Sequence, residues 1–467
     1  MADLPQELQF IDVRKNSSVI IAIEARQILP QNGTRFIQSD SGNTTIVFRV
    51  PNSENESIDF STFWITADFS VEGLSAATYT EDQCNRWDSK NVFVNGTANL
   101  PFLTCCDSME SCIRSVHILC NGSEVERQDL YAQQETMLHA HTVSPGYANS
   151  VGAGCYLLNV HHYEKCRLLL GNATAARTSS NVLTVSFPLR FCGMSNLRSL
   201  VNTSMLGSGQ SAFEYRLTLA NANQFLAAGV FTIGANSGWS NTFTKQTTPL
   251  TYVLDNVRLN YDAVITSEAY TQSLKSYLAS NQLTLPIQTY YTTSFDIPST
   301  HTSWLNFTVS TQMSDIEAVF IAFFKADEQA SYAFCSTDRL IMPNGLKECR
   351  LQINGKPVPN TNIRLQGNQR STEGEAYSYL MKALRQNNSI DVIGNSNQHK
   401  EMRRQVKVNS ATATRSLAAA SADLAGYDIV SGSGLYYGVM RSSPPADTAA
   451  ITVAGTNILI DESILFN

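Results

Sequence analysis

The strongest constraint in this sequence is a series of short strand-like segments that occurs twice, in the same order. Repeats of this kind decide architecture before any motif does. Phe48-Arg-Val-Pro51-Asn returns as Phe295-Asp-Ile-Pro298-Ser, and the strand opened by Trp64 returns as one opened by Trp304. Ile118-Leu-Cys-Asn121-Gly122 returns as Leu351-Gln-Ile-Asn354-Gly355. A helix carrying Tyr131 or Tyr377 follows each Asn-Gly, and Asn256-Val-Arg-Leu259 finds its counterpart in Asn457-Ile-Leu-Ile460. The spacing between copies shrinks from 247 (298 − 51) to 201 (457 − 256), as shorter loops in the second copy would produce. The Tyr131–Tyr377 spacing of 246 departs from that trend and requires a local insertion before the second helix. Two unrelated β-domains would share single matches of this type, because Asn-Gly is the preferred hairpin turn and Pro ends strands. They would not share the order.

Strand signals dominate each copy. Thr45–Val50, Phe63–Val71, Val182–Leu189, Ala212–Leu219 and Tyr252–Val264 alternate apolar and polar residues, which buries one face of each. In the second copy, strands are expected at Tyr290–Ile297, Trp304–Ser310, Ile316–Phe324, Leu435–Met440 and Ala450–Ile460. Helices are expected over Glu124–His139, with Ser123 as N-cap, over Ser267–Ala279, and over Glu373–Gln386. About eight strands per copy, facing each other in two sheets, is the jelly roll. The fold class expected is therefore all-β: two tandem eight-stranded antiparallel jelly rolls with a few short helices. Residues 1–43 are read as an N-terminal arm and 44–265 as the first jelly roll, with long insertions at about 72–109 and 139–180. Residues 266–284 are a connector helix and 285–467 the second jelly roll. Pro51, Trp64, Asn121, Gly122, Pro298, Trp304, Asn354 and Gly355 anchor the repeat.

Composition narrows the function. Charged residues make up only 16% and the net charge is −7, which argues against a dedicated surface for nucleic acid. The run Lys400–Arg404 is the densest basic patch and reads as a solvated loop. The first ten residues lack the basic-then-apolar pattern of a secretory signal, so synthesis in a reducing compartment is expected. No nucleophile elbow, P-loop or dinucleotide fingerprint occurs, so no catalytic or cofactor-binding residues are assigned. Cys105, Cys106, Cys112 and Cys120 lie close together, followed by His139, His141, His161 and His162. Zinc sites favour paired ligands at C-x2-C spacing, and vicinal cysteines suit one ion poorly. Buried free thiols are the expected state, with a loop disulfide as the alternative. Trp64, Trp304, Tyr290 and Tyr291 could build a sugar-binding platform, but core or interface positions are the expectation.

The segments Ile46–Val71, Ile113–Tyr131 (with Asn121-Gly122, Glu126 and Tyr131 in order), Val185–Leu200 and Asn256–Tyr277 together resemble double-jelly-roll major capsid proteins. The pattern is most similar to the polinton-like virus and virophage type. They cover well under a third of the chain. The Cys-rich stretch Cys84–Cys120 departs from the family's pattern. The resemblance implies a homotrimer of pseudo-hexagonal outline that tiles the icosahedral shell of a DNA virus, located in the virion. It implies neighbouring capsomers, penton and other minor capsid proteins as partners, and admits an internal membrane beneath the shell. A carbohydrate-binding or carbohydrate-cleaving β-sandwich is the alternative. Alkylation of the unfolded chain should add ten thiol labels, one per cysteine, measured by intact mass; fewer would reveal a disulfide.

Overall fold

The computed structural model describes residues 20–53, 56–76, 78, 98–106, 108–142, 168–170, 177–197, 200–202, 211–233, 241–281, 285, 287–298, 304–309, 316–324, 332, 346–364, 374–383, 405–408, 414–416, 427–432, 435–440, 450–452 and 458–461. The strands of the first half are β1 (Ile20–Ile28), β2 (Phe36–Gln38), β3 (Thr45–Pro51), β4 (Glu56–Glu72), β5 (Ala98–Cys105), β6 (Ile113–Cys120) and β7 (Ser123–Gln128). Helix α1 (Tyr131–Thr142) follows, then β8 (Leu183–Pro188), β9 (Val201–Asn202), β10 (Ser211–Leu219), β11 (Leu226–Ile233), β12 (Asn241–Lys245), β13 (Thr251–Thr266) and α2 (Glu268–Ser280).

One sheet runs β1-β13-β4-β8, with β2 added on β13 and β9 on β4; the facing sheet runs β3-β10-β6-β7. The pairings β1:β13, β3:β10, β4:β8 and β6:β7 are all antiparallel, and each lies inside the previous one in sequence. That nesting is what rolling up one long hairpin produces, and the eight strands so joined form a jelly roll. A further, five-stranded sheet joins β5, β11 and β12 to two strands near the end of the chain, the first of which pairs parallel to β12 at Asn241↔Gly432.

The alternation in the sequence sets the core. On β4, Ile58 and Phe60 face inward, and then Phe63, Ile65, Ala67, Phe69 and Val71 do. The phase changes because the β4–β13 register jumps between Asn260 and Asp262. Asp59 stabilises the bulge by accepting from the Ser61 amide at 3.0 Å, and Thr62 Oγ1 accepts from the Asp262 amide at 2.9 Å. Residues 60–63 of β4 lie opposite the single residue Tyr261 of β13, and these three extra residues place both Phe60 and Phe63 in the core. Phe60 lies 5.0 Å from Phe63 and 5.0 Å edge-on from Phe213, and Phe63 lies 5.4 Å from Tyr215. These rings join β4 to β10 across the sandwich. Deeper in, Tyr252 packs on Phe225 at 5.2 Å and donates its hydroxyl to the Ala220 carbonyl at 2.7 Å.

Several expectations change. The reading of residues 1–43 as an arm is corrected: β1 and β2 pair with β13, so the sandwich already includes Ile20. Residues 1–19 lie outside the described residues. The insertion at 72–109 contains β5, which pairs with β11 along its full length. The helix expected from Glu124 begins only at Tyr131, and Ser123 is no N-cap. Asn121 (φ 49°) and Gly122 (φ 82°) both take left-handed conformations, so the chain returns beside β6 as β7. Most of 139–180, with His161, His162, Cys84, Cys155, Cys166, Cys335 and Lys400–Arg404, lies outside the described residues.

The connector helix forms as α2, capped by Ser267 accepting from the Tyr270 amide, with Thr271 and Leu274 buried. Beyond it, the strands expected at Tyr290–Ile297, Trp304–Ser310 and Ile316–Phe324 form no sheet ladder among the described residues. Alternation prepares a face for burial but supplies no hydrogen-bonding partner, and a strand needs both. Phe295 stacks on Phe307 at 4.7 Å instead. Further on, β14 (Glu348–Cys349) pairs with β17 (Ile363–Arg364), and between them β15 (Gln352–Ile353) and β16 (Lys356–Pro357) form a hairpin. Its turn is Asn354 (φ 50°) and Gly355 (φ 77°), nearly the angles of the first Asn-Gly. Helix α3 spans Gly374–Ala383. The last six strands, β18 (Gln405–Val408), β19 (Thr414–Ser416), β20 (Tyr427–Gly432), β21 (Leu435–Met440), β22 (Ala450–Thr452) and β23 (Ile458–Asp461), pair antiparallel as β18:β23, β19:β22 and β20:β21. This is a second nested set.

The central role of the ring cluster sets an expected outcome. Phe60→Ala removes a fully buried ring and should lower the unfolding free energy by about 3–5 kcal/mol. Ile21→Ala, at a position 69% exposed, should change it by no more than about 0.5 kcal/mol in the same denaturant titration.

Candidate functional site

The densest chemistry in the described residues is a buried polar network at one end of the first sandwich. It begins on β7. The Asn-Gly turn returns the chain as β7, and a bulge at Val125 then sets the phase: Leu119 pairs with Glu124 but Ile118 with Glu126, so Glu126 and Gln128 point inward and both are about 2% exposed or less. The Glu126 carboxylate accepts from the Gly193 amide at 2.7 Å, the Met194 amide at 3.2 Å, and the Cys192 thiol at 3.2 Å. It also accepts from Gln128 Nε2 at 2.5 Å and from Thr289 Oγ1 at 2.9 Å. A buried carboxylate surrounded by this many donors is held without an ion pair.

The turn after β8, Arg190–Met194, is the wall shared by the rest of the network. Gln128 Nε2 also donates to the Phe191 carbonyl at 2.9 Å. Gln134 on α1 donates to Gln128 Oε1 at 3.1 Å and accepts from Thr292 Oγ1 at 3.1 Å. The Phe191 ring meets Tyr290 edge-on at 6.4 Å. Glu126 and Gln134 therefore tie the first sandwich to the segment that follows α2.

On the other side of the turn lie two more buried carboxyls. Glu110 sits in the helical turn Met109–Cys112, which is capped by Ser108, and Glu135 sits on α1. Glu110 Oε2 accepts from Tyr131 Oη at 2.8 Å and from the Arg190 amide at 3.1 Å, and Glu135 Oε2 accepts from Ser111 Oγ at 2.8 Å. Glu110 Oε1 lies 3.6 Å from Arg190 Nε. Burial pushes the Glu110 carboxyl up to about 7, against the pull of Arg190 and Tyr131. Burial, and then the charge of Glu110, push Glu135 up to about 8. Tyr131 is also raised, first by burial and then by Glu110. All three carboxyls are buried to within 2% of full, so the network shapes the fold rather than meeting a substrate.

The repeat anchors fall elsewhere. Pro51 ends β3, Trp64 is half-buried on β4, and the two Asn-Gly pairs are exposed turns. Pro298 is exposed, and Trp304 is 60% exposed, as Tyr291 is at 56%. None of these aromatics is in the core. Cys105, Cys106, Cys112 and Cys192 are buried and Cys120 and Cys349 half-buried, and none of the six is in a disulfide. Burial raises the Cys112 thiol well above its usual range, with Cys106 and Cys105 adding to the shift. Among the described residues, no cluster of His, Cys, Asp and Glu is placed to hold a metal ion, and no helix is long and apolar enough to cross a membrane.

Sequence reasoning singled out Glu126 and Tyr131 but missed Glu110, Glu135, Gln134 and Arg190. A signal was present. Tyr131, Gln134, Glu135 and Leu138 follow i, i+3, i+4, i+7 spacing and form one buried stripe, which is polar in the middle. The network leaves little room at Gly193, where a Cβ would sit 2.8 Å from the Gln288 carbonyl oxygen and 3.2 Å from Glu126 Oε1. Gly193→Ala should therefore lower the unfolding free energy by about 1–3 kcal/mol in denaturant titration, because backbone has to move.

No protein-family model matches the chain, and no curated protein does. Solved structures do. The Faustovirus major capsid protein matches at 10% identity and a TM-score of 0.32, covering 56% of this chain and 56% of that one. The mavirus major capsid protein matches at 12% identity and a TM-score of 0.26, covering 52% and 46%. A chain of the Sputnik virophage structure matches at 12% identity and a TM-score of 0.28, covering 54% and 49%. The first two of these are viral major capsid proteins and the third is a chain of a virophage, and the similarity spans about half the length of each.

Proposed function

We propose that the chain is a major capsid protein that self-assembles, as a trimeric pseudo-hexagonal capsomer, into an icosahedral shell. The observation that carries this reading is the jelly-roll order of the first half, β1-β13-β4-β8 facing β3-β10-β6-β7, followed downstream by a second nested set of strand pairs. A fold does not name a function by itself. The tandem copy is what favours a building block, since two sandwiches per chain and three chains give six similar units around one axis. The matching Asn-Gly turns at Asn121 and Asn354 support the duplication.

In this reading the work is done by shape. Rigid sandwiches present edges, the insertions between strands reach neighbours, and no catalytic residue is required. Partners are other copies of the chain, neighbouring capsomers, and penton and minor capsid proteins, with an internal membrane as a further neighbour. The location is the virion. A surface with net charge −7 gives no basis for sequence-specific nucleic-acid binding. Obligate interfaces of this type bury roughly 2,000–5,000 Å2 or more, so folding and assembly are coupled.

Native mass measurement of the purified chain should give a species of three times 51.4 kDa, and electron microscopy should show capsomers of pseudo-hexagonal outline. A stable monomer that scores in a glycan screen would instead support the carbohydrate-binding β-sandwich and end the capsid reading.

A further inference from the structure

We propose that the buried pair Glu110–Glu135 is a proton-operated lock on the junction between the first sandwich and the segment Gln288–Thr292. The geometry of the Arg190–Met194 turn carries the inference. Its first residue is held by the pair: the Arg190 amide donates to Glu110 Oε2 at 3.1 Å, and Arg190 Nε lies 3.6 Å from Glu110 Oε1. Its last residues are held by Glu126, and Glu126 also holds Thr289. Gly193 leaves no slack between turn and segment, because its missing Cβ would already press on the Gln288 carbonyl at 2.8 Å. A displacement that begins at Arg190 is thus passed across the turn to residues 288–292.

The pair has a reason to move. The groups that face it are Tyr131 and Ser111 as donors, Ser108 beside Glu135, Arg190 as the one cation among the described residues around it, and the neutral thiol of Cys112, while the Cys192 thiol lies beside Tyr131. Glu110 Oε1 and Glu135 Oε1 are both buried without a hydrogen-bond partner. With a proton on the pair, one carboxylate balances Arg190. With both carboxyls ionised, two buried negative charges face one positive charge whose side chain is 22% exposed. The burial cost of the second charge is then relieved by admitting water or by separating α1 from the Met109–Cys112 turn, and either shifts Arg190.

The sign follows from proton linkage. Both carboxyls hold protons in the folded chain up to about 7 and about 8, and from 4.5 upward the unfolded chain has lost them. The stability they contribute is full below about 4.5, falls as pH rises through about 7 and 8, and is level beyond. The junction should be tight in mild acid and looser in mild alkali.

Hydrogen exchange on the full-length chain tests this, with rates corrected for the intrinsic effect of pH and referenced to the β4–β13 ladder. Protection of the amides of 287–292 should fall about tenfold or more between pH 6 and pH 9, since a tenfold change corresponds to one unit of pKa shift. Glu135→Gln, which keeps the shape and removes the charge, should abolish that fall. Unchanged protection in the wild-type chain, or an equal fall in Glu135→Gln and Glu110→Gln, would overturn the proposal. Should neither variant fold, infrared difference spectra of the wild-type chain decide it. A buried carboxylate band that grows between pH 6 and pH 9 supports the lock, and its absence overturns it. None of these readouts requires a shell, so failure of the capsid reading would remain separately visible.

Discussion

Face-to-face burial of two four-stranded sheets is the interaction on which the rest of this chain depends. A sheet has a buried side only while every strand keeps its phase, because side chains alternate from face to face with a period of two. The long strand β4 shows how strictly this holds. It pairs with β13 over nearly its whole length, yet its inward set switches from Ile58 and Phe60 to Phe63 and Ile65. The bulge at Asp59–Thr62 absorbs the switch, and the aromatic cluster of Phe60, Phe63, Phe213 and Tyr215 forms around it. Without those three extra residues Phe60 and Phe63, an odd number of positions apart, would face opposite sides of the sheet.

The same phase rule creates the polar network. Asn121 and Gly122 in left-handed conformations send β7 back beside β6, and a bulge at Val125 turns Glu126 and Gln128 inward. Polar groups taken out of water must find partners, and here the partners come from the Arg190–Met194 turn, from α1, and from Thr289 beyond α2. An apolar contact would have allowed sliding. Directional hydrogen bonds at 2.5–3.2 Å to one carboxylate define a single seating for the segment after α2.

The comparisons and the topology bear on different questions. The likeness to solved virus structures lies at 10–12% identity and spans about half of each chain. The strand order of the first half stands without it, because nested antiparallel pairs in two facing sheets define a jelly roll from this chain alone. The second nested set, β18 to β23, comprises three antiparallel pairs: two are separate two-stranded ladders and the third, β20:β21, joins the sheet of β12, β11 and β5.

Much of the first sandwich was legible in the sequence because its determinants are local. Strands β3, β8, β10 and β13 were read to within about two residues, since alternation and β-branched residues act over a few positions. The Asn-Gly turn and the Ser267 cap were equally legible, as backbone preference and capping span at most four residues. What tertiary structure alone decided is non-local. Ser123–Gln128 has a composition that suits a helix start, and it became a strand because β6 offered a ladder. Residues 20–28 looked like an arm, and they became β1 because β13 had an open edge. Tyr290–Ile297 looked like a strand, and its first residues serve Phe191 and Gln134 instead. Glu110 and Glu135 are 25 residues apart in sequence, and only the packing of α1 on the Met109–Cys112 turn makes them a pair. Local sequence determines which face of a segment can be buried; which partner buries it is settled only when segments distant in sequence meet.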